Sequence, residues 1–491
     1  MGHTTNNIEQ WRRSIKIKGK LCIVSNRLPV VLQKDNGGWK MEPGSGGLVA
    51  ALGPVLKERG GTWIGWPGTS EDAPFREIFK KARENVGYAI VPVSLDSGEV
   101  EDYYHGFSNE TIWPLFHNML GRAVFNRVHW EAYCRVNEKF AALATATAKE
   151  SDFIWFQDYQ LLLAGEYLKK HRPGMPAGFF LHIPFPSPDI FRRLPWRLPI
   201  IRAMLSYDLI GFQTRKDLRN FIQCVKSLLP GARMGYRAPY SVISLEGRVA
   251  LAGAFPIGID FNRYNNLAKT REVEQAAWFL HEKFPEHKLL IGVDRLDYTK
   301  GIPNRFEAFE LALENYPDLR EKISLLQVVV PSREEVPEYQ AMKRELDELV
   351  GRINGRFTTL GWIPIHYVFG KLTPVELVAY YRSCEIALIT PLNDGMNLVA
   401  KEYCASCIDN QGILILSEFA GAAVQLKKGA ILVNPYDTEQ TSAAIRRAYT
   451  MAAEEREARM KRLRYQVRQM DVHHWVRTFL KAAEQVGDGG I

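Results

Sequence analysis

The chain has 491 residues, which is enough for about three average domains or two large ones. Hydrophobic residues make up 46% of it and charged residues 24%, which excludes a mainly disordered chain and a disulfide-framed miniprotein. The net charge of +8 is small for this length, so it favours a cleft for phosphorylated small molecules over a nucleic-acid-binding surface. No apolar stretch reaches 18 residues, so no membrane span is predicted, and six scattered cysteines favour reduced thiols in the cytoplasm.

Residues 1–18 are polar and are predicted to form a flexible tail. Short apolar runs then alternate with amphipathic segments, such as the predicted helices Trp130–Lys149 and Arg215–Ser227. The apolar runs predict strands at Leu21–Ser25, Thr62–Gly65, Ala89–Pro92, Phe153–Phe156, Gly178–His182, Leu209–Phe212 and Val249–Ala252.

Pro and Gly interrupt this pattern at Pro256–Asp260, and it then starts again. Strand–helix alternation predicts parallel α/β sheets, so we expect two Rossmann-like, doubly wound domains facing each other across a cleft, residues 19–256 and 257–470. The second domain has predicted strands at Lys288–Val293, Ile323–Val330, Glu385–Thr390, Ile413–Ser417 and Ala430–Val433, and predicted helices at Asn304–Asn315, Val336–Arg352 and Thr441–Met470.

Three residues with side chains that can bind a phosphate or a sugar lie at or just after predicted strand ends in the first domain. Ligands of such sheets bind at the carboxyl ends of the strands, which favours a site there. Arg27 suits a phosphate, Asp158 can accept hydrogen bonds from sugar hydroxyls, and His182 ends a strand before a Pro-rich exit. The alternatives are a surface arginine, a helix N-cap and a hydrogen-bonded core histidine.

A glycine-rich loop, Gly44–Leu48, contains Gly46 and Gly47 and leads into an apolar helical run. Backbone N–H groups in such a loop can bind a phosphate at a helix N-terminus. The loop fits neither the Walker A pattern nor the GxGxxG spacing of dinucleotide-binding folds, and it is equally consistent with a flexible turn.

In the second domain, Arg295 and Lys300 lie between the first strand and the first helix. Together with the helix dipole, these two cations can neutralise a diphosphate, although surface ion pairs are the alternative. Arg333 repeats the arrangement after the next strand.

The segment Asn393–Glu402 follows the predicted strand Glu385–Thr390 and leads into a helix. Its backbone N–H groups can meet phosphate or sugar oxygens, Asp394 can accept from sugar hydroxyls, and Glu402 can reach a ribose diol. An N-capped surface helix is the alternative. No metal site is predicted, because the chain has a lone CxxC at Cys404–Cys407, adjacent histidines at His473–His474 that point apart on a helix, and no Asp-x-Asp pattern.

In this order, the motifs resemble those of the trehalose-6-phosphate synthase family of retaining glycosyltransferases, from about residue 19 to about residue 485. The most specific are SNRLP, SGGL, DYYHGFSNETIWPLFH, WFQDYQLL, FFLHIPFPSPDIF, GFQT, RLDYTKG, GRING and DGMNLVAKEY. The resemblance implies a GT-B fold whose last helix, residues 471–491, packs back on the N-terminal domain. It also implies metal-independent transfer of glucose, with retention, from a nucleotide sugar such as UDP-glucose to glucose 6-phosphate, without a cofactor.

The resemblance also implies roles for individual residues. His182, Arg295, Lys300 and Asp394 would be catalytic, and the leaving phosphate oxygen would act as the base. The acceptor would bind to Arg27, Trp66, Tyr104, Trp113, Asp158 and Arg333. The donor would also contact Gly46, Gly47, Gly395, Met396, Asn397, Leu398, Val399 and Glu402. The family is often dimeric or tetrameric, so a homo-oligomer is expected.

Two positions depart from the family pattern. Asn393 replaces the usual Arg before the DGMN motif, which bears on the choice among UDP-, GDP- and ADP-glucose, and Gln160 replaces the usual His. Few residues follow Met470, so no fused phosphatase domain is expected. Two alternatives stay open: a related transferase with another phosphorylated acceptor, such as a glucosylglycerol-phosphate synthase or a pseudo-glycosyltransferase, and a sugar-phosphate sensor that binds without transfer.

Overall fold

The computed structural model describes residues 19–35, 38–44, 47–70, 75, 78–79, 86–284, 287–332 and 337–487. The chain divides into two compact units. Unit 1 comprises Met1–Ile257 and His473–Ile491, and unit 2 comprises Gly258–Val472. The predicted tail, residues 1–18, lies outside the described residues. All six cysteines are free thiols. Across the described part of the chain, no helix combines the length and the apolar character that a membrane crossing needs.

Unit 1 is built on a nine-stranded sheet with the order β5-β4-β1-β6-β7-β8-β11-β10-β9, and β2 and β3 form a separate hairpin. The first seven strands in that order pair in parallel. The strands are β1 (Leu21–Arg27), β2 (Val30–Asp35), β3 (Gly38–Pro43), β4 (Gly61–Trp66), β5 (Ala89–Pro92), β6 (Phe153–Gln157), β7 (Ala177–Phe180), β8 (Leu209–Phe212), β9 (Arg233–Arg237), β10 (Tyr240–Leu245) and β11 (Arg248–Ala254).

The helices of unit 1 connect these strands, and one of them is a π-helix, Val100–Ile112, that leads into α3. Short 3₁₀ turns lie at Leu120–Arg122 and Tyr159–Leu161. The α-helices are α1 (Gly47–Arg59), α2 (Ser97–Glu99), α3 (Trp113–Phe116), α4 (Arg127–Thr147), α5 (Ala164–His171), α6 (Pro188–Phe191), α7 (Arg197–Met204) and α8 (Arg215–Leu228), to which the C-terminal helix α18 (Val472–Gly487) is added.

One edge of the first sheet differs from the all-parallel prediction. β9, β10 and β11 form an antiparallel meander in which Leu245 pairs with Arg248. Glu246 and Gly247, between them, both have positive φ, 51° and 80°, which fits the tight turns that join antiparallel strands. A turn of this kind brings the chain straight back beside the same strand, so no crossover helix is needed.

Unit 2 has a six-stranded parallel sheet with the order β14-β13-β12-β15-β16-β17. Its strands are β12 (Lys288–Arg295), β13 (Ile323–Val330), β14 (Ile365–Phe369), β15 (Ile386–Ile389), β16 (Ile413–Ser417) and β17 (Ile431–Val433). Its helices are α9 (Phe261–Leu267), α10 (Arg271–Lys283), α11 (Ile302–Asn315), α12 (Pro337–Phe357), α13 (Pro374–Ser383), α14 (Leu398–Ser406), α15 (Ala423–Leu426), α16 (Thr438–Thr450) and α17 (Ala453–Gln469), with 3₁₀ turns at Tyr298–Lys300 and Pro317–Leu319.

The helical region predicted as one segment, Thr441–Met470, is two helices. Met451 and Ala452 between α16 and α17 have extended backbone, with ψ of 130° and 149°. The side chain of Met451 is buried in the core of unit 2, so the chain turns there to bring it inward. Hydrophobic burial therefore ends the first helix without a Pro or Gly.

Candidate active site

In unit 1, the strand order reverses at β1, because the chain first builds β4 on one side of β1 and later β6 on the other. Loops that leave adjacent strands at such a point diverge and open a crevice. Arg27 is the last residue of β1, and Asp158 follows the last residue of β6. The sheet therefore brings these two predicted site residues to one edge.

Arg27 lies against two of the predicted acceptor residues. Its guanidinium carbon is 4.0 Å from the centre of the Trp66 ring and 5.6 Å from that of Tyr104. The two rings are themselves 6.0 Å apart. Gly68 has φ of +92°, and a Cβ at this position would collide with the Arg27 guanidinium. The absence of a side chain at Gly68 therefore leaves the space that the guanidinium occupies. Cation–π contacts of this kind hold a cation in one orientation.

The π-helix carries Tyr104, and the helix after it begins with Trp113. π-helices are uncommon and occur often at functional sites. The neighbouring Tyr103 is fully buried and donates a hydrogen bond to Asn26 Oδ1 over 3.0 Å, which ties the π-helix to β1. Trp113 is buried, and its ring lies 5.5 Å from that of Tyr159, the residue after Asp158.

Asp158 has a strained backbone, with φ of +72° in a residue other than glycine. Its carboxylate does not cap the 3₁₀ turn that follows, and the backbone N–H of His182 donates to its Oδ1 over 3.0 Å. The capping alternative therefore does not hold for Asp158. Strain of about 1–3 kcal/mol persists where surrounding structure over-determines it, and it concentrates at functional sites.

His182 lies two residues after β7, which ends at Phe180, so the predicted strand Gly178–His182 was too long. Its Nε2 is 2.9 Å from Gln157 Oε1 and its Nδ1 is 3.4 Å from Gln213 Nε2. Burial lowers the pKa of His182 to about 3, so the imidazole is neutral at pH 7. The His182 side chain therefore adds no positive charge at this edge of the sheet.

Unit 2 repeats the arrangement. Its strand order reverses at β12, which lies between β13 and β15. Arg295 is the last residue of β12 and is exposed, while Asp394 lies in the loop after β15. Lys300 Nζ is 2.6 Å from Asp394 Oδ2, and both side chains are 14% exposed. Two cations and one carboxylate therefore lie at the carboxyl edge of this sheet.

A buried polar network supports the turn that holds Lys300. The Arg305 guanidinium pairs with Asp294 and donates to Gln327 Oε1 over 2.9 Å and to Thr390 Oγ1 over 3.2 Å. Gly301, after Lys300, has φ of +62°, and its carbonyl accepts the backbone N–H of Arg305. The network therefore joins β12, β13 and the end of β15 beneath the cations.

Hydrogen bonds hold the loop around Asp394 in position. Some involve the loop's own side chains, and others involve the backbone of residues 419–422. Gly421 donates to the Asp394 carbonyl over 2.9 Å, and Ala422 donates to that of Met396 over 2.7 Å. Asn397, with φ of +77°, caps α14 at the Ala400 N–H over 3.0 Å. The capping alternative is thus right for Asn397, although α14 is largely buried rather than a surface helix.

Glu402 lies on α14 and accepts a hydrogen bond from the Tyr381 hydroxyl over 3.1 Å. Burial raises its pKa, while hydrogen bonds from Tyr264 and Tyr381 act in the opposite direction. Leu398 and Val399, in the first turn of α14, are half-buried, and Gly395 and Met396 before it are buried. Asn393, at the departing position, is half-buried.

Two predicted site residues, Gly46 and Arg333, lie outside the described residues. Gly47 is the first residue of α1. Among the described residues, no group of three His, Cys, Asp or Glu side chains has the geometry to hold a metal ion.

Sequence reasoning missed Gln157, Gln213 and Arg305. Gln157 precedes the predicted site residue Asp158, and Gln213 lies in the GFQT motif, so the sequence neighbourhood of both residues was a usable signal. Strand-end position alone did not reveal them, because their role comes from contacts with side chains distant in the sequence.

Comparison with known proteins places these observations in a family. Residues 19–485 match the model of glycosyltransferase family 20. The chain is 41% identical to the trehalose-6-phosphate synthase of Mycolicibacterium vanbaalenii, over 94% of this chain and 95% of that protein. It is 40% identical to alpha,alpha-trehalose-phosphate synthase [UDP-forming] A of Dictyostelium discoideum, over 98% of this chain and 64% of that protein.

Solved structures agree with the fold. The alpha,alpha-trehalose-phosphate synthase (UDP-forming) of Burkholderia xenovorans in complex with glucose-6-phosphate has a TM-score of 0.85 and 35% identity, over 95% of this chain and 100% of that one. A structure from E. coli bound with UDP-2-fluoro glucose has a TM-score of 0.85 and 34% identity, over 95% and 99%. The expected GT-B class with two α/β domains is confirmed.

Proposed function

Because the chain belongs to glycosyltransferase family 20, we propose that it transfers glucose from UDP-glucose to glucose 6-phosphate, with retention, to give α,α-trehalose 6-phosphate. The observation that carries this proposal is that each unit places cationic side chains beside the strand where its sheet order reverses: Arg27 in unit 1, and Arg295 and Lys300 in unit 2. Relatives that match nearly the whole chain bear the corresponding names.

Unit 2 supports the donor side of the proposal. Arg295 and Lys300 lie just before α11, so their charges and the helix N-terminus favour the same anion. In this proposal they bind the diphosphate of UDP-glucose. Asp394 binds hydroxyls of the glucose, and Glu402 binds the ribose. The α14 loop, Gly395–Val399, supplies backbone N–H groups.

Unit 1 supports the acceptor side. The Arg27 guanidinium, held by Trp66 and Tyr104, suits the phosphate of glucose 6-phosphate. The Asp158 carboxylate accepts from the sugar hydroxyls. Trp113 and Arg333 are further proposed acceptor residues, and His182 is assigned to the donor glucose.

In the proposed reaction, negative charge develops on the diphosphate as the bond to glucose breaks. The bond between the anomeric carbon and the diphosphate oxygen breaks, and a bond to the acceptor hydroxyl forms on the same face. The acceptor proton passes to the leaving phosphate oxygen, so no protein base is required. Arg295 and Lys300 stabilise the negative charge that develops on the diphosphate, which makes a metal ion unnecessary in this proposal.

Lys300 and Asp394 contact each other, so each side chain helps to hold the other in position. Such preorganisation avoids reorganisation during the reaction and accounts for much of electrostatic catalysis. Asn393 stands where the family usually has Arg, so it bears on the choice of the donor base.

Nucleotide release tests the proposal. UDP-, GDP- and ADP-glucose are each incubated with the protein, with and without glucose 6-phosphate, and with glycerol 3-phosphate as the alternative acceptor. We expect UDP release that depends on glucose 6-phosphate. Release that depends on glycerol 3-phosphate would support the alternative acceptor. No release with any pair, combined with binding of glucose 6-phosphate, would support a sensor.

A further inference from the structure

We propose that Trp475, on the C-terminal helix α18, is a positioning residue for His182 and fixes the orientation of its imidazole. The inference rests on the proposed role of His182 in binding the donor glucose. It concerns contacts within unit 1 only, since both residues belong to that unit.

The geometry begins with how α18 is seated. Phe479 stacks on Trp155 of β6, with ring centres 4.2 Å apart and an interplanar angle of 8°. Gly178 on β7 and Gly211 on β8 admit the Phe479 ring: a Cβ on Gly178 would lie 3.1 Å from it, and one on Gly211 would lie 2.8 Å from it. The absence of side chains at Gly178 and Gly211 therefore leaves the space that the Phe479 ring occupies.

This seat brings Trp475 to the active-site end of the sheet. Its ring is fully buried and lies 5.0 Å from Trp155 and 5.1 Å from Phe180, measured between ring centres. It meets the His182 ring edge-on, with centres 5.9 Å apart and an angle of 61°. Phe180 contacts the same imidazole at 4.7 Å. Two aromatic side chains thus restrict the rotation of His182.

Hydrogen bonds from and to its two ring nitrogens determine the tautomer of His182. The backbone N–H of Ile257 donates to Gln213 Oε1 over 3.0 Å, so the Nε2 amide of Gln213 faces His182 Nδ1. Nδ1 is therefore the acceptor, and Nε2 carries the proton and donates to Gln157 Oε1. This assignment follows from the hydrogen-bond pattern.

Burial beside Phe180 and Trp475 also affects the protonation state of His182. Burial lowers its pKa to about 3. The groups that contact its ring from β6 and from the segment after β8, Gln157 and Gln213, are uncharged. The Asp158 carboxylate accepts the hydrogen bond of the His182 backbone N–H. On α18, the titratable His474 precedes Trp475 and is half-buried. Opening the Trp475 side to water moves the pKa of His182 back towards about 6.5.

The experiment compares Trp475→Leu with Phe479→Leu, a matched variant one turn further along the same helix. Both remove an aromatic ring that contacts Trp155 and Phe180. They differ in the third ring contact, which is the His182 imidazole for Trp475 and Phe255 for Phe479. For Trp475→Leu we expect kcat/KM for UDP-glucose to fall about 10- to 100-fold, with KM for glucose 6-phosphate unchanged. We also expect a new loss of activity below about pH 6.5.

Phe479→Leu should lower the melting temperature at least as much and keep the wild-type pH profile. Trp475→Phe, which restores an aromatic ring, should recover most of the donor kcat/KM. The proposal is overturned if Trp475→Leu keeps the wild-type pH profile and donor kinetics, or if Phe479→Leu reproduces its effect.

A second readout does not depend on activity. The ¹³C-labelled imidazole of His182, identified by its loss in a His182→Gln variant, is titrated by NMR. We expect no titration above pH 5 in the wild-type protein and a midpoint shifted upward in Trp475→Leu. Identical titrations would contradict the inference. Absence of transfer by the wild-type protein would contradict the proposed function alone, and the titration would still decide the role of Trp475.

Discussion

Asp158 combines an unfavourable backbone conformation with a carboxylate that we propose binds the acceptor sugar. In Asp158→Gly, relief of strain offsets the lost hydrogen bond to His182, so the free energy of unfolding should stay within about 1 kcal/mol of wild type. Transfer should fall at least about 100-fold, because the acceptor loses its orientation. Denaturant unfolding and steady-state kinetics measure the two effects.

Asp158→Asn is the matched control, since asparagine also tolerates positive φ and keeps an acceptor for the His182 N–H. It should retain wild-type stability. A marked destabilisation by Asp158→Gly, or transfer close to the wild-type rate, would show that Asp158 serves the fold rather than the reaction.

The two arginines assigned to different substrates give a second prediction at this scale. Arg295→Ala should lower kcat about 100- to 1000-fold, because it removes a charge that stabilises the leaving diphosphate. Arg333→Ala should mainly raise KM for glucose 6-phosphate, by about 10-fold or more, because a charge-assisted hydrogen bond is lost. Kinetics with each substrate varied in turn separate the effects. Wild-type kinetics in either variant would refute that assignment.

Residue positions at strand ends could be predicted, but their partners could not. Arg27, Asp158 and Arg295 follow buried apolar runs, and strand ends are where such sheets bind ligands. The contacts of Arg27 with Trp66 and Tyr104, and of Lys300 with Asp394, join positions far apart in the sequence. No local pattern encodes such pairs, and only the resemblance to a family singled out Tyr104 and Trp113.

At the scale of elements, α18 depends on small residues in the sheet beneath it. A Cβ on Gly211 would lie 2.5 Å from Phe180 Cδ2 and 2.8 Å from Phe479 Cε2. Gly211→Ala should therefore lower the free energy of unfolding by about 1–3 kcal/mol. Urea unfolding measures this. Gly235→Ala on β9 is the control, since its Cβ would meet nothing nearer than 3.5 Å. Equal stabilities of the two variants would contradict the seating of α18.

The buried pair of Asp294 and Arg305 gives another prediction for the turn that holds Lys300. Arg305→Met leaves the Asp294 carboxylate buried and should lower the free energy of unfolding by about 3–5 kcal/mol. The double variant Asp294→Leu/Arg305→Met removes both charges and should recover much of that stability. Denaturant unfolding of the three proteins tests this, and a double variant no more stable than Arg305→Met would contradict it.

Strands that contain a continuous apolar run were predicted well. Strands that depend on pairing with a neighbouring antiparallel strand were mostly missed. The apolar runs of β6, β8, β13 and β16 match their strands closely. β9, β10 and the hairpin β2–β3 were missed, because pairing with strands elsewhere in the chain stabilises them. β11 was predicted, as Val249–Ala252. The π-helix has no sequence signature of its own.

At the scale of the whole molecule, each unit contributes predicted residues for both substrates. Unit 1 contains Arg27, proposed for the acceptor phosphate, and His182, proposed for the donor glucose. Unit 2 contains Arg295 and Lys300, proposed for the diphosphate, and Arg333, proposed for the acceptor. A dimer or tetramer stays a prediction. Light scattering of the purified protein measures its mass, and a mass of one chain at all concentrations would contradict it.

The central step that we propose is the transfer of a glucose unit from UDP-glucose to glucose 6-phosphate with retention. NMR of a reaction between UDP-glucose labelled with ¹³C at C1 and unlabelled glucose 6-phosphate tests this most directly. We expect the label at an α-configured anomeric carbon of a phosphorylated non-reducing disaccharide. Label in free glucose, in a β-linked product, or left in UDP-glucose would contradict it.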